Sequence, residues 1–140
     1  HLGMANKIGV GPRLVEWGKD LHVIVMEFVE GVPLSQWLLD EIHSKKEVRA
    51  LLDKLFVQAK KLDGIGLDHG QLQGRGANIL VEKKGVPVII DFEKASYVRR
   101  PKNVSTLRSW LFLNPNSAVA RRVSALGIML NLSKHSLGFL

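Results

Sequence analysis

Cysteine is absent from the 140 residues, which excludes disulfides and thiolate metal ligands and fits, without requiring, a reducing compartment. Aromatic residues make up only 6% of the chain and are not interleaved with basic ones, so nothing suggests a stacking platform for single-stranded nucleic acid. No apolar run approaches the ~20 residues that span a bilayer, and no signal-peptide pattern opens the chain. The expectation is a cytoplasmic protein with no membrane partner. Acid is missing from one region only. Residues 1–93 carry 12 Lys/Arg and 13 Asp/Glu, whereas residues 94–140 carry Lys94, Arg99, Arg100, Lys102, Arg108, Arg121, Arg122 and Lys134 with no acid at all. That imbalance suits a phosphate-rich or acidic partner at residues 94–140, or an acidic segment that normally covers them.

What is present suits one globular domain, or part of a larger one. The chain opens at His1 directly on an apolar run and reads as a piece of something longer. Gly9, Gly11 and Pro12 punctuate a turn. Residues 13–17 and the β-branched, aromatic run 21–29, joined through Gly18-Lys19-Asp20, predict a hairpin whose second strand is buried. Pro33 suits a first helical position, and Leu34, Trp37, Leu38 and Ile42 recur at helical spacing. Ser44-Lys45-Lys46-Glu47 is a capping box. Behind it, Val48, Leu51, Leu52, Leu55, Ala59 and Leu62 form one stripe, closed by Asp63-Gly64-Ile65-Gly66. Residues 77–82 and 86–92 predict a second hairpin across Lys83-Lys84-Gly85. Asn103 is positioned to cap a helix through Phe112, and Asn116 another through about Leu132. The order predicts an α+β arrangement in which small sheets flank a helical body.

The chemistry concentrates in HGQLQGRGANILVEKKGVPVIIDF, residues 69–92. Phosphoryl transfer is largely positioning and charge neutralisation, and magnesium prefers hard oxygen ligands. Asn78 opens one strand of the predicted hairpin and Asp91 ends the other, so the short turn brings an amide and a carboxylate to one edge. His69-Gly70-Gln71-Leu72 precedes them, directly after the long helix.

In this ordered set the chain resembles the protein-kinase-like fold, closest in flavour to RIO-type and related small prokaryotic serine/threonine kinases. Aminoglycoside and choline phosphotransferases, on the same fold, also favour His-Gly and Asp-Phe-Glu. The resemblance implies that residues 1–30 are the remnant of an N-terminal lobe with its hinge, and residues 31–140 a helical C-terminal lobe. It implies ATP and magnesium as cofactors and a protein or small-molecule hydroxyl as acceptor. Met26, Glu27 and Phe28 would meet the adenine through backbone groups. His69, Gln71 and Asp68 would belong to the catalytic loop, and Asn78 and Asp91 would hold metal, with Asp91-Phe92-Glu93 standing where ordinary kinases have Asp-Phe-Gly.

Three departures bear on activity. Gln71 replaces the acid that accepts the substrate proton; it hydrogen-bonds a hydroxyl but is no base. Asp68 or Glu93 is close enough in sequence to supply the missing carboxylate. Residues 73–77, QGRGA, make the loop two residues longer than usual, and the glycine-rich loop, strand lysine and its glutamate partner are not in this chain. Three functions stay open: a kinase with an atypical loop, a catalytically silent nucleotide-binding scaffold, and a small-molecule kinase. On either kinase reading the piece alone transfers poorly. Plainer readings stand beside these. His69 reads first as a packing and hydrogen-bonding residue, Asn78 and Asp91 as turn and strand-end caps, and the Glu27 side chain as solvated. Arg75 reads as a surface residue, and Trp17, Trp37 and Trp110 as packing.

Overall fold

The computed structural model describes residues 1–18, 23–73 and 78–129. The Trp17 side chain, the turn through Lys19 and Asp20, Arg75, Lys134 and any helix beyond residue 129 lie outside that description.

Helix α1 (Leu2–Lys7) leads into β1 (Leu14–Gly18), which pairs antiparallel with β2 (Val23–Met26), with a register irregularity between Leu14 and Glu16. The helix was not anticipated from the glycine-punctuated opening. Asn6 makes the link: its Nδ2 donates to Val10 O (3.0 Å) and Pro12 O (2.9 Å), and its Oδ1 accepts from Leu14 N (2.6 Å). The run 21–29 is shorter as a strand than expected. It stops at Met26, which is half-exposed, and Phe28 is 89% exposed.

The second sheet has three strands in the order β3 (Gly31–Pro33), β4 (Ile79–Glu82), β5 (Pro87–Ile89), all antiparallel. The expected hairpin 77–92 is its β4–β5 part, and β3 is the addition. Gly31 pairs with Glu82, and a Cβ there would sit 2.6 Å from Val81 O, so only glycine allows the strands to approach so closely. Pro33, expected inside the helix, instead ends β3 in an extended conformation and caps α2 (Leu34–Leu39). That helix stops before Ile42, which is 95% exposed. The other three residues of the expected spacing, Leu34, Trp37 and Leu38, are buried.

Helix α3 (Lys45–Gly64) is the axis of the body. The capping box is complete, with Ser44 Oγ accepting from Glu47 N (3.1 Å) and the Glu47 carboxylate returning to Ser44. The anticipated stripe is buried, and Phe56 joins it. Gln58 Nε2 donates to Pro87 O (2.8 Å), holding β5 against the helix. Helix α4 (Asn103–Arg108) passes directly into a π-helical turn, Ser109–Leu113, and α5 (Ala118–Ala125) follows. Asn103 is not the cap of α4 but its first residue, and it is buried. Asn116 yields the cap of α5 to Ser117, whose Oγ accepts from Ala120 N (3.2 Å). Arg122 Nε donates to Leu38 O (3.1 Å), tying α5 to α2. One apolar core runs through all these pieces, from Leu2 and Val10 to Val123 and Ile128. No helix among the described residues is long and apolar enough to cross a membrane.

Candidate functional site

The end of α3 and the start of α4 together fix the loop that follows residue 67. Asp63 accepts from Asn103 N (2.9 Å), Asn103 Nδ2 (2.8 Å) and Val104 N (3.2 Å), capping α4 from forty residues away in sequence. Asn103 Nδ2 also donates to Leu67 O (2.7 Å), and its Oδ1 accepts the His69 N–H (2.9 Å). The buried amide is thereby satisfied by the loop it positions.

His69 is fully buried. Its Nε2 lies 2.7 Å from Ile90 O, its Nδ1 faces the Gln71 N–H at 3.2 Å, and its ring meets Phe92 edge-on at 5.0 Å. A neutral ring protonated on Nε2 satisfies both contacts. Burial holds its pKa below the ordinary 6.5, against the opposing pull of the Ile90 carbonyl and the carboxylates of Asp91 and Asp68. His69 therefore ties the loop at residues 69–71 to the strand exit at residue 90.

Asp68 faces another way. It is 2% exposed, its Oδ2 accepts from Arg99 Nε (2.9 Å), and its Oδ1 accepts from Lys102 N (3.2 Å). Its backbone pairs with Ser96 in both directions at 2.9 Å. Arg99 also reaches the Lys94 carbonyl. This latch passes over Gly70, where φ is +90° and a Cβ would lie 2.6 Å from Arg99 Nη2. Only glycine meets both conditions.

Gln71, Asn78 and the exit of β5 are brought together. Asn78 Nδ2 donates to Gln71 O (2.8 Å), and Ile90 N donates to Asn78 O (2.8 Å), so the loop, the head of β4 and the tail of β5 share one edge. Asn78 Oδ1 makes no hydrogen bond to another described residue. Gln71 Oε1 is buried without a partner among the described residues. Asp91 lies two residues beyond the end of β5, exposed, with φ +60°, the one non-glycine residue among those described with positive φ. A left-handed aspartate is a strained position held by its surroundings. No group of three or more His, Asp or Glu side chains arranged for a metal occurs among the described residues; the pair at this edge is an amide and a carboxylate.

Asp91, Phe92 and Glu93 line a cavity of about 570 Å³ together with Met26, Pro12 and Leu2. Met26 and Asp91, far apart in sequence, thus face the same space. Glu27 stands just past β2, with its N–H donating to Arg13 O (2.9 Å) and its carboxylate accepting from Arg13 N (2.7 Å). The side chain is exposed, as expected, and also clasps the head of β1. The Glu27 carbonyl and the Phe28 backbone have no partner among the described residues.

Arg99, Asn103 and Asp63 were not singled out as site residues from the sequence. Asn103 carried a signal, since it was read as a helix cap, but its partners lie 34 to 40 residues away and no local spacing announces them.

Comparison with known proteins converges on one family. The model of the RIO domain matches residues 4–109. A RIO-type serine/threonine-protein kinase, Rio2, of Methanocaldococcus jannaschii is 38% identical over 84 residues, covering 60% of this chain and 30% of that protein. An uncharacterized protein of the same organism is 32% identical over 87 residues, covering 62% of this chain and 72% of that protein. The chain therefore matches less than a third of the length of the Rio2 relative.

Proposed function

The chain belongs to the RIO domain family, and from that premise we propose that it forms the helical C-terminal part of an ATP- and magnesium-dependent, atypical serine/threonine kinase. Residues 1–30 are then the remainder of a smaller lobe with its hinge, and residues 31–140 the larger lobe. The observation that carries the reading is the shared edge of Gln71, Asn78 and Ile90 leading to Asp91, which opens on the cleft walled by Met26.

The donor set fits the group. Asn78 is anchored through its amide nitrogen, which leaves its oxygen for a cation beside the carboxylate of Asp91. The cleft is mostly apolar with carboxylates at one end, as suits a purine with phosphates directed toward Asp91. The free carbonyl of Glu27 and the backbone of Phe28 supply the polar contacts for the base. When bound, Mg-ATP supplies the phosphoryl group and the charge neutralisation that its transfer needs. The chain supplies alignment. His69, neutral and held between Ile90 and Gln71, keeps the loop in register with the metal-binding edge. Gln71 orients the acceptor hydroxyl without taking its proton, since an amide is no base at neutral pH. Asp68 stabilises the loop from behind through Arg99 and Lys102, so Glu93, exposed on the cleft, is the better-placed of the two carboxylates to assist.

Isothermal titration of the whole protein with Mg-ATP, beside Asp91→Ala, tests the assignment. A loss of affinity of about tenfold or more in the variant is expected, and equal affinity would reject the metal role. The replacement of the acid by Gln71 favours a second reading, a nucleotide-binding scaffold without turnover. Transfer from radiolabelled ATP above background, abolished by Asp91→Ala, argues against that reading. A panel of protein and small-molecule hydroxyl acceptors identifies the substrate class.

A further inference from the structure

Another concavity lies away from the Asp91 cleft. Two adjoining hollows of about 630 and 260 Å³ share Trp37, His43 and Lys83, and so form one groove between the α2–α3 connection and the β4–β5 turn. Aromatic and aliphatic side chains alternate with polar ones along it. Trp37 is buried, the His43 ring stacks on it at 3.7 Å with 18° between planes, and Val32 and Val81 continue the surface. Glu47 holds the His43 ring through Nδ1 at 3.3 Å, and Glu41 Oε1 lies 3.3 Å from Nε2 without a hydrogen bond.

The two ends differ in sign. Glu30, Glu41 and Glu82 line the larger hollow, with Lys83 at the junction, and Lys54, Lys83 and Lys84 line the smaller. Glu47 also borders the basic end, but its carboxylate is engaged by His43 and Ser44. The turn that carries the lysines is held by Gly85 N donating to Glu82 O (2.8 Å) and Glu82 N donating to Val86 O (2.9 Å). Glu30, Glu82, Lys54, Lys83 and Lys84 form no ion pair with any described residue. Glu30 and Glu82 line only the larger hollow and Lys54 and Lys84 only the smaller, so the groove is acidic toward one end and basic toward the other, with Lys83 between them.

We propose that this groove docks an extended peptide segment of a partner protein that is basic at one end, apolar in the middle and acidic at the other. The apolar centre of such a segment covers Trp37 and His43, while its basic end meets Glu30 and Glu82 and its acidic end meets Lys54 and Lys84. Matching both ends at once gives selectivity that a single exposed ion pair does not. None of these residues lines the Asp91 cleft, so the inference stands or falls apart from the kinase reading.

Fluorescence anisotropy with the 140-residue chain and three labelled peptides tests it. The peptides share one apolar centre and carry basic–acidic, acidic–acidic or basic–basic ends. The basic–acidic peptide is expected to bind about tenfold more tightly than either other. The chain carries a net charge of +7, so unspecific attraction would favour the acidic–acidic peptide, and that ranking overturns the proposal. The double variant Lys83→Glu/Lys84→Glu is expected to shift preference to the basic–basic peptide, a gain that a misfolded chain does not show. Unchanged preference in the variant overturns the proposal too, as does equal binding of all three peptides.

Discussion

At the scale of single residues, Gln71 is left with a conflict that its neighbours do not resolve: its side-chain oxygen is buried without a partner among the described residues. Under the kinase reading, Gln71→Asp in the whole protein should raise transfer by roughly 10²-fold or more, the usual worth of a positioned base. The rate measured with radiolabelled ATP checks this, and an unchanged or lower rate would place the defect elsewhere in the loop. His69 makes a prediction about pH. Its folded pKa lies below 6.5, so the folded chain refuses a proton that the unfolded chain accepts. The stability that depends on the neutral ring is therefore complete above pH ~6.5 and is lost as pH falls through that value toward the lower folded pKa. Urea midpoints measured from pH 7.5 down to 5 should fall for the wild type. His69→Gln should start lower at pH 7.5 and fall less steeply, and parallel declines would remove His69 from the account.

Secondary-structure elements show where sequence reading succeeds and where it stops. The capping box and stripe of α3 were legible because both are local: a cap acts over three residues and a stripe repeats every three or four. The β4–β5 hairpin was legible for the same reason, through Lys83-Lys84-Gly85. That Asn78 and the exit of β5 share one edge was legible because that turn is short. The strand β3 was not, since Gly31–Pro33 is defined by its partner β4 and carries no alternation of its own. The start of α4 was misread on similar grounds. Asn103 is a good N-cap residue in isolation, but the cap is supplied by Asp63, and Asn103 is drawn inside to hold His69. Asp63→Ala strands those donors near a buried amide and should cost about 2–3 kcal/mol. Ser44→Ala, at an exposed cap, should cost about 1 kcal/mol. Chemical denaturation of both variants checks the order, and a larger loss at Ser44 would contradict the anchoring role of Asp63.

Across the whole molecule, attachment is uneven. The helical body and the three-stranded sheet share one core, and side-chain bonds such as Gln58 to Pro87 and Arg122 to Leu38 cross between elements. The β1–β2 hairpin lines the cleft through Met26, and among the described residues Asn6 ties it to α1, with one hydrogen bond to Leu14 N and two to Val10 and Pro12 in the connection. Units with few ties to the common core open at lower free energy than the global transition. Asn6→Ala removes the clasp while leaving the α3 core intact, so the two should separate experimentally. Amide hydrogen exchange in residues 14–18 and 23–26 is expected to quicken by about tenfold, the equivalent of roughly 1.4 kcal/mol of local opening, whereas exchange in α3 stays near its wild-type rate. Under the kinase reading, the same substitution should also weaken Mg-ATP binding in the whole protein without disturbing Asp91, because it frees Met26 at the cleft. Uniformly faster exchange across both regions would mean that hairpin and body unfold as one unit, and that Asn6 stabilises the whole chain and not the cleft in particular.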